Sequence, residues 1–365
     1  MISNKTIWLI IFSGLIIISG VFWWNIDRLN QGQDVIWNKN LKTEEKVVVK
    51  TELEIKEKRP LRFMFFGDVM LDRNVANVLE KKNMEELLAG LSSKDDYFKK
   101  SDIISANLEG AITNEGKHYA PVNLYDFAFP VERLTGLEQR GFNYFTLANN
   151  HFLDQGERGV KESRENLAKE NFYFSGAPDA KIDDFSRIDV KIEDKKVALI
   201  GLSMVYNHFS REKAIALLSQ TKNEVDLIIV NIHWGNEYEH LFNRYQQEVG
   251  HYLIEEGADI IIGHHPHVVQ GMEIYQGKPI FYSLGNFIFD QYFSIPTQTG
   301  LALYLEIDEE ELIFKFFPFS SKQSAPTFKE DKIEIENFLN DFISWSEIDQ
   351  EYSTMLKSGV LEVKR

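Results

Sequence analysis

From Leu61 to about Pro318, short apolar runs alternate with longer polar stretches whose apolar residues recur at helical spacing. The apolar runs predict strands at 62–67, 102–107, 142–148, 172–175, 196–203, 225–232, 258–263, 279–284, 301–306 and 311–317. The amphipathic stretches predict helices over 73–90, 157–170, 211–220, 242–256 and 331–346. Alternation of this kind predicts an α/β sandwich, and Gly277-Lys278 between two short runs predicts a hairpin that gives one sheet an antiparallel part. In 331–346, Ile333, Ile335, Phe338, Leu339, Phe342 and Ile343 make a stripe expected to pack on the domain. Residues 352–365 are expected to form a frayed tail.

The amino-terminal pattern is different. Residues 6–24 carry no charge and are long enough, at about 1.5 Å per residue, to cross most of a bilayer. Lys5 precedes this run and Trp23-Trp24 closes it, so it is expected to be an uncleaved single-pass anchor. Residues 1–6 would form a cytoplasmic tail, 7–24 the transmembrane helix in the lipid bilayer, and the rest would lie on the outer side of the cell membrane. The rival reading is a cleaved signal peptide, for which Ile18 and Gly20 match the small-x-small site poorly. Residues 25–60 alternate in charge without apolar periodicity and are expected to be a solvated linker. The main domain is then 61–320, followed by a helical extension at 321–365.

With 365 residues, 44% of them hydrophobic, the chain can bury a large core in one or two units. A formal net charge of -16 argues against nucleic acid as a partner and requires any polyanionic substrate to be held locally. The absence of cysteine excludes thiolate zinc sites and iron–sulfur clusters, and leaves no thiol to acylate.

The chemistry gathers where the apolar runs end. Gly263-His-His-Pro-His267 places His264, His265 and His267 after Ala258-Asp-Ile-Ile-Ile262. Asp68 follows 63–67, Asn107 and Glu109 follow 102–106, Asn149, Asn150 and His151 follow 142–148, and His233 follows 225–232. Open α/β sheets bind ligands at the carboxyl ends of their strands. Carboxylate, amide and imidazole donors together suit Mn, Zn or Fe, and two ions about 3.5 to 4 Å apart would use them all.

Six ordered motifs carry a family resemblance: Gly67-Asp-Val-Met-Leu71, Asn107-Leu-Glu109, Ala148-Asn-Asn-His-Phe-Leu-Asp154, His233-Trp-Gly-Asn-Glu-Tyr238, Gly263-His-His-Pro-His267 with Gln270, and Ser283-Leu-Gly-Asn-Phe-Ile-Phe-Asp-Gln291. Together they resemble the bacterial capsule-synthesis CapA family, the accessory family of poly-γ-glutamate synthesis, which is similar to the calcineurin-like metallophosphoesterases. The resemblance implies a four-layer α/β/β/α sandwich with a two-metal centre between the sheets, an amino-terminal anchor and membrane-embedded capsule-synthesis subunits as partners. By the same resemblance Asp68 matches the first carboxylate ligand, Asn150 a metal ligand, His151 the histidine that faces an anionic polymer or phosphoester substrate, and His233 an isolated histidine ligand. His265 and His267 match the His-x-His pair, with His264 competing for its first place. The chain departs from the phosphoesterase pattern at Met70, where the family has histidine, and at Asn107-Leu-Glu109, where it has Gly-Asp, so one metal position is weakened or rebuilt around Glu109.

A centre of this kind supports hydrolysis at a phosphoryl or acyl group, with His151 protonating the leaving group and Asp154 orienting His151. Asp154 is equally suited to cap the helix 157–170. Arg73 is either a cation for an anionic substrate group or half of a surface ion pair. Asn107, Asn149, Glu237 and Asn286 are candidate substrate contacts, with buried hydrogen-bond networks as the alternative for Asn286, Asp290 and Gln291. Trp234 and Tyr238 either line the cleft or pack, and His118, His208, His240 and His251 lack an evident partner. Three functions remain open: a membrane-anchored capsule-polymer synthesis or export component, a surface hydrolase of phosphoesters or polymer amides, and a non-catalytic polymer-binding scaffold.

Overall fold

The computed structural model describes residues 59–205 and 209–365. The expected tail 1–6, anchor 7–24 and linker up to residue 58 lie outside the described residues, as does His208. Among the described residues no helix is long and apolar enough to cross a membrane.

Two mixed sheets carry the body of the domain. In the first, β1 (Leu61–Val69), β2 (Ile103–Leu108), β5 (Tyr144–Thr146) and β6 (Tyr173–Ser175) run parallel, while β14 (Thr299–Ile307), β15 (Glu311–Lys322) and β16 (Ala325–Phe328) extend the other side antiparallel. A short pair, β3 (Ala111–Ile112) with β4 (Ala128–Phe129), stands apart. The second sheet has a parallel centre of β8 (Lys195–Ser203), β9 (Leu227–His233), β10 (Ile260–His264) and β12 (Lys278–Leu284), with β7 (Arg187–Ile192) and β11 (Val269–Tyr275) antiparallel at its edges.

Burial on both faces explains why these strands read as continuous apolar runs. Along β1, Phe63 and Phe65 join Ile229, Ile262 and Phe281 in a core between the sheets. Met64 and Phe66 turn the other way, toward Val75, Leu137, Val160 and Leu167 of the covering helices. The outer face of the second sheet packs Ile200, Val230 and Ile261 against Leu218 of helix Arg211–Thr221 and Leu253 of helix Arg244–Glu255. This arrangement delivers the ends of β1, β2, β9 and β10 to one region.

Several expectations are corrected. The helix expected over 73–90 breaks into Arg73–Leu79, Met84–Leu87 and a 3-10 turn Ala89–Lys94, because Asn83 and Glu86 form a capping box that starts a new helix. The hairpin turn lies one residue earlier than expected: Tyr275 pairs with Lys278, and Gln276 and Gly277 both have positive φ, as a primed turn requires. Edge strand β7 escapes a search for apolar runs because Arg187, Asp189 and Lys191 alternate through it. Residues 352–365 are no frayed tail. Asp349 caps helix Gln350–Leu356, and β17 (Val360–Lys364) pairs antiparallel with β15, burying Leu361 and Val363. The segment 321–365 therefore holds strands as well as helices, and helix Lys332–Ser344 sends Phe338, Leu339 and Phe342 into the core between the sheets.

Candidate metal centre

Asp68 near the end of β1 is fully buried. Its Oδ1 accepts from Asn107 Nδ2 at 2.8 Å, and its Oδ2 accepts from the main-chain N–H of His265 at 3.3 Å. His264 Nδ1 and His267 Nδ1 lie 3.5 and 3.4 Å from the same carboxylate. Burial alone would raise its pKa; His264 and His267 outweigh burial and hold the carboxyl well below the usual range.

Glu109, just beyond β2, has the opposite electrostatics. Burial, reinforced by the charge of Asp68, pushes its pKa well above the usual range. Its Oε1 accepts from Asn107 Nδ2 at 3.3 Å. Its Oε2 is buried with no hydrogen-bond partner among the described residues, and His151 Nε2 lies 4.0 Å from it.

The imidazoles come from two strand ends. His233 closes β9 with Nε2 2.8 Å from Asn150 Oδ1, and burial followed by the charge of His265 drives its pKa well down. The turn after β10 places His265 and His267 at φ 98° and 58°, left-handed backbone that is costly for residues other than glycine and recurs at functional sites. His265 Nδ1 is buried without a hydrogen-bond partner among the described residues. Burial and the neighbouring His267 push the His265 pKa down to about 3. For His267 burial acts downward too, but Glu109 and Asp68 prevail and lift it to about 9.

Donor atoms of Asp68, Glu109 and His267 lie within 4.8 Å of one another, and so do those of Glu237, His265 and His267. A carboxylate oxygen and an imidazole nitrogen buried without partners inside such clusters fit a divalent cation, since uncompensated buried polar atoms are costly. His264 and His233 belong to neither group: His264 Nε2 turns 3.5 Å from Asn231 Oδ1, while its Nδ1, 3.5 Å from Asp68 Oδ1, is also buried without a hydrogen-bond partner among the described residues.

His151 lies at the rim of this cluster. Its Nδ1 is 2.8 Å from Asp154 Oδ2, and its ring packs on Phe127 with centroids 4.2 Å apart. Gln155, not Asp154, occupies the cap position of helix Gly156–Lys169. The buried amides hold their neighbours. Asn149 Nδ2 donates to Asn107 Oδ1 at 3.1 Å and to Leu108 O at 2.8 Å, while Asn286 Oδ1 meets His267 Nδ1 at 2.9 Å. Glu237 is exposed beside His265 and His267. Arg73 pairs with the nearly buried Asp290, its guanidinium 4.8 Å above the Phe127 ring. Trp234 is buried and donates Nε1–H to Tyr282 O at 2.8 Å, so it packs; Tyr238 stays half exposed near His267. Met70 is buried, its Sδ accepting from Asp72 N at 3.1 Å.

Sequence reasoning missed two residues. Asn231, a lone amide in the apolar run of β9, links His264 to the Tyr144 hydroxyl, and that isolated polar position was the available signal. His118, which lacked an evident partner, bridges Asp72 and Asp126 at 3.0 and 2.9 Å.

The family profile of the bacterial capsule synthesis protein PGA_cap matches residues 62–291. This chain belongs to the PGA_cap family. The PGA_cap match runs from β1 to Gln291 and so includes every candidate donor. The chain is 31% identical to the PGA biosynthesis protein CapA of Bacillus subtilis over 66% of each protein, so the match spans about two thirds of that relative. It is 28% identical to the capsule biosynthesis protein CapA of Bacillus anthracis over 74% of this chain and 70% of that one. Among solved structures, a phosphatase from Mycoplasma pneumoniae aligns at 16% identity and a TM-score of 0.43, covering 74% of this chain and 91% of the other.

Proposed function

We propose that this PGA_cap protein is a membrane-anchored, extracytoplasmic component of capsule-polymer synthesis or export, of the poly-γ-glutamate type. Its body is read as a four-layer α/β/β/α sandwich of metallophosphoesterase type carrying a metal-dependent site. Family membership supports the capsule role, and the site reading is carried by one observation: Glu109 Oε2 and His265 Nδ1 are buried within donor clusters and lack hydrogen-bond partners among the described residues.

In this reading Asp68, Glu109, Asn150, His233, His265 and His267 would hold two divalent ions of Mn, Zn or Fe, with His264 packed behind Asp68. When bound, the ions supply Lewis-acid polarisation of a phosphoryl or acyl group and activation of water. His151 would act as proton donor to the leaving group through Nε2, steadied through Nδ1 by Asp154. Glu237 and Tyr238 flank the approach. The charge of Arg73 is taken up by Asp290, so an anionic polymer would depend on the ions for its attraction. The anchor would sit in the bilayer through residues 7–24 beside membrane-embedded synthesis subunits.

A second reading, a non-catalytic polymer-binding scaffold, is favoured by Met70, a poor ligand for hard ions that is buried at the departed ligand position. Metal analysis of the purified full-length chain separates the two. Bound Mn, Zn or Fe that His265→Ala removes, together with metal-dependent hydrolysis of a model phosphodiester or of poly-γ-glutamate, supports the site. A metal-free chain whose stability ignores chelator sinks it and leaves the scaffold. Co-purification with membrane ligase subunits tests the capsule role against an unrelated surface hydrolase.

A further inference from the structure

Asn286 opens β13 (Asn286–Ile288), in parallel register with Asp68 of β1, and its side chain is buried. The amide is fully engaged. Nδ2 donates to the main-chain carbonyl of Thr297 at 3.0 Å and to Gln291 Oε1 at 3.0 Å. A main-chain carbonyl only accepts, so the nitrogen end of the amide faces Thr297 and the oxygen end faces His267, 2.9 Å from Nδ1. An amide oxygen cannot donate. Nδ1 of His267 therefore carries the hydrogen, which Asp68 Oδ2 at 3.4 Å also favours, and the neutral ring keeps its lone pair on Nε2.

The other end of the same amide reaches the segment 290–298. Thr297 Oγ1 donates to Gln291 O at 2.7 Å and Gln298 Nε2 to Tyr292 O at 3.1 Å, so the segment is closed on itself. Gln291 Nε2 donates to the Tyr238 hydroxyl at 3.3 Å, and Phe293 meets the Tyr238 ring edge-on at 5.3 Å. Tyr238 in turn lies against His267, with ring centroids 6.2 Å apart.

We infer that Asn286 is a positioning residue with two linked tasks: it fixes His267 with Nδ1 protonated, leaving Nε2 as the metal-binding nitrogen, and it anchors the segment 290–298 that packs on Tyr238 beside the centre. The first task rests on the metal reading above only where Nε2 is said to bind metal; the tautomer and the anchoring stand without it. Partners that orient a ligand histidine commonly govern metal affinity by about 10- to 100-fold.

The test uses the full-length chain with nitrogen-15 histidine, recorded over a pH series that reaches the neutral His267 ring, together with amide hydrogen exchange of 290–298 and zinc titration of the chelated protein. The wild type is expected to show His267 with hydrogen on Nδ1. Asn286→Ala leaves only Asp68 Oδ2 at 3.4 Å to hold that hydrogen and is expected to weaken the signature, bind zinc about 10- to 100-fold more weakly and exchange faster across 290–298. Should Asn286→Ala fail to fold, two milder variants carry the test. Asn286→Asp keeps an acceptor for Nδ1–H while losing the donors to Thr297 and Gln291, and Gln291→Ala cuts only the segment side; both should speed exchange and retain the His267 signal. Wild-type hydrogen on Nε2, or an Asn286→Ala protein with unchanged histidine signal and unchanged exchange, overturns the inference. If the wild type takes up no zinc, the metal reading fails while the histidine signal and the exchange rates still decide the role of Asn286.

Discussion

Asp154 Oδ2 lies 2.8 Å from His151 Nδ1 and accepts the main-chain N–H of Phe127 at the same 2.8 Å. One oxygen thus holds the His151 ring and the Phe127 backbone together, and the Phe127 ring packs tilted on His151. Burial pushes the Asp154 carboxyl above its usual range against the pull of His151, so the group is tuned by its surroundings and is not a solvated surface acid. If His151 is the proton donor, Asp154→Asn disturbs its tautomer and orientation. The expected result is a fall in kcat of about 10- to 100-fold on a model phosphodiester with KM little changed. Steady-state kinetics of the metal-loaded variant check this, and an unchanged kcat removes Asp154 from the mechanism.

Metal uptake should be pH-dependent with a known sign. His267 keeps its proton up to about 9 in the metal-free protein, and a cation must displace that proton. Affinity is expected to climb as pH rises toward about 9, on the order of tenfold per pH unit for each proton displaced, the raised Glu109 carboxyl adding to the slope wherever it is still protonated. His265, already neutral above about 3, adds no slope in this range. The raised His267 pKa acts oppositely on folding of the chelated chain: its stabilisation is complete below the ordinary histidine pKa of about 6.5 and is lost as pH rises through about 9. Isothermal titrations across this range test the first sign and denaturation of the chelated protein the second.

Gly67 precedes Asp68 where β13 crosses close to β1, and an added Cβ would strike the carbonyl oxygen of Gly285. Asp68 N also bonds to that oxygen at 3.0 Å, so the backbone has little room to yield. Gly67→Ala should destabilise the protein by about 1–3 kcal/mol or more and weaken metal binding by shifting Asp68 relative to Glu109 and His267. Urea unfolding and metal titration of the same variant measure both effects.

Deleting residues 360–365 removes β17 from β15 and exposes the apolar surface that Leu361 and Val363 cover. At roughly 1.5–3 kcal/mol for each buried aliphatic side chain, the loss should be about 3 kcal/mol or more, read from chemical denaturation. A truncated chain as stable as the full one would mean that β17 contributes nothing to the core.

The strand ends bearing Asp68, His233 and His264 were legible in the sequence because an apolar run that closes on carboxylate or imidazole residues is a local signal, set by two-sided burial of the strand. The motifs carried the family for the same reason: each is contiguous. Packing alone decided the choice of His265 and His267 over His264 for the donor clusters, because neighbours one residue apart differ only in which way the turn after β10 aims them. It likewise decided the pairing of Arg73 with Asp290, the bridge from His118 to Asp72 and Asp126, and the placement of β17. Such contacts join residues with no shared periodicity, so they become determinate only when the two sheets close on a common core and bring their carboxyl ends together.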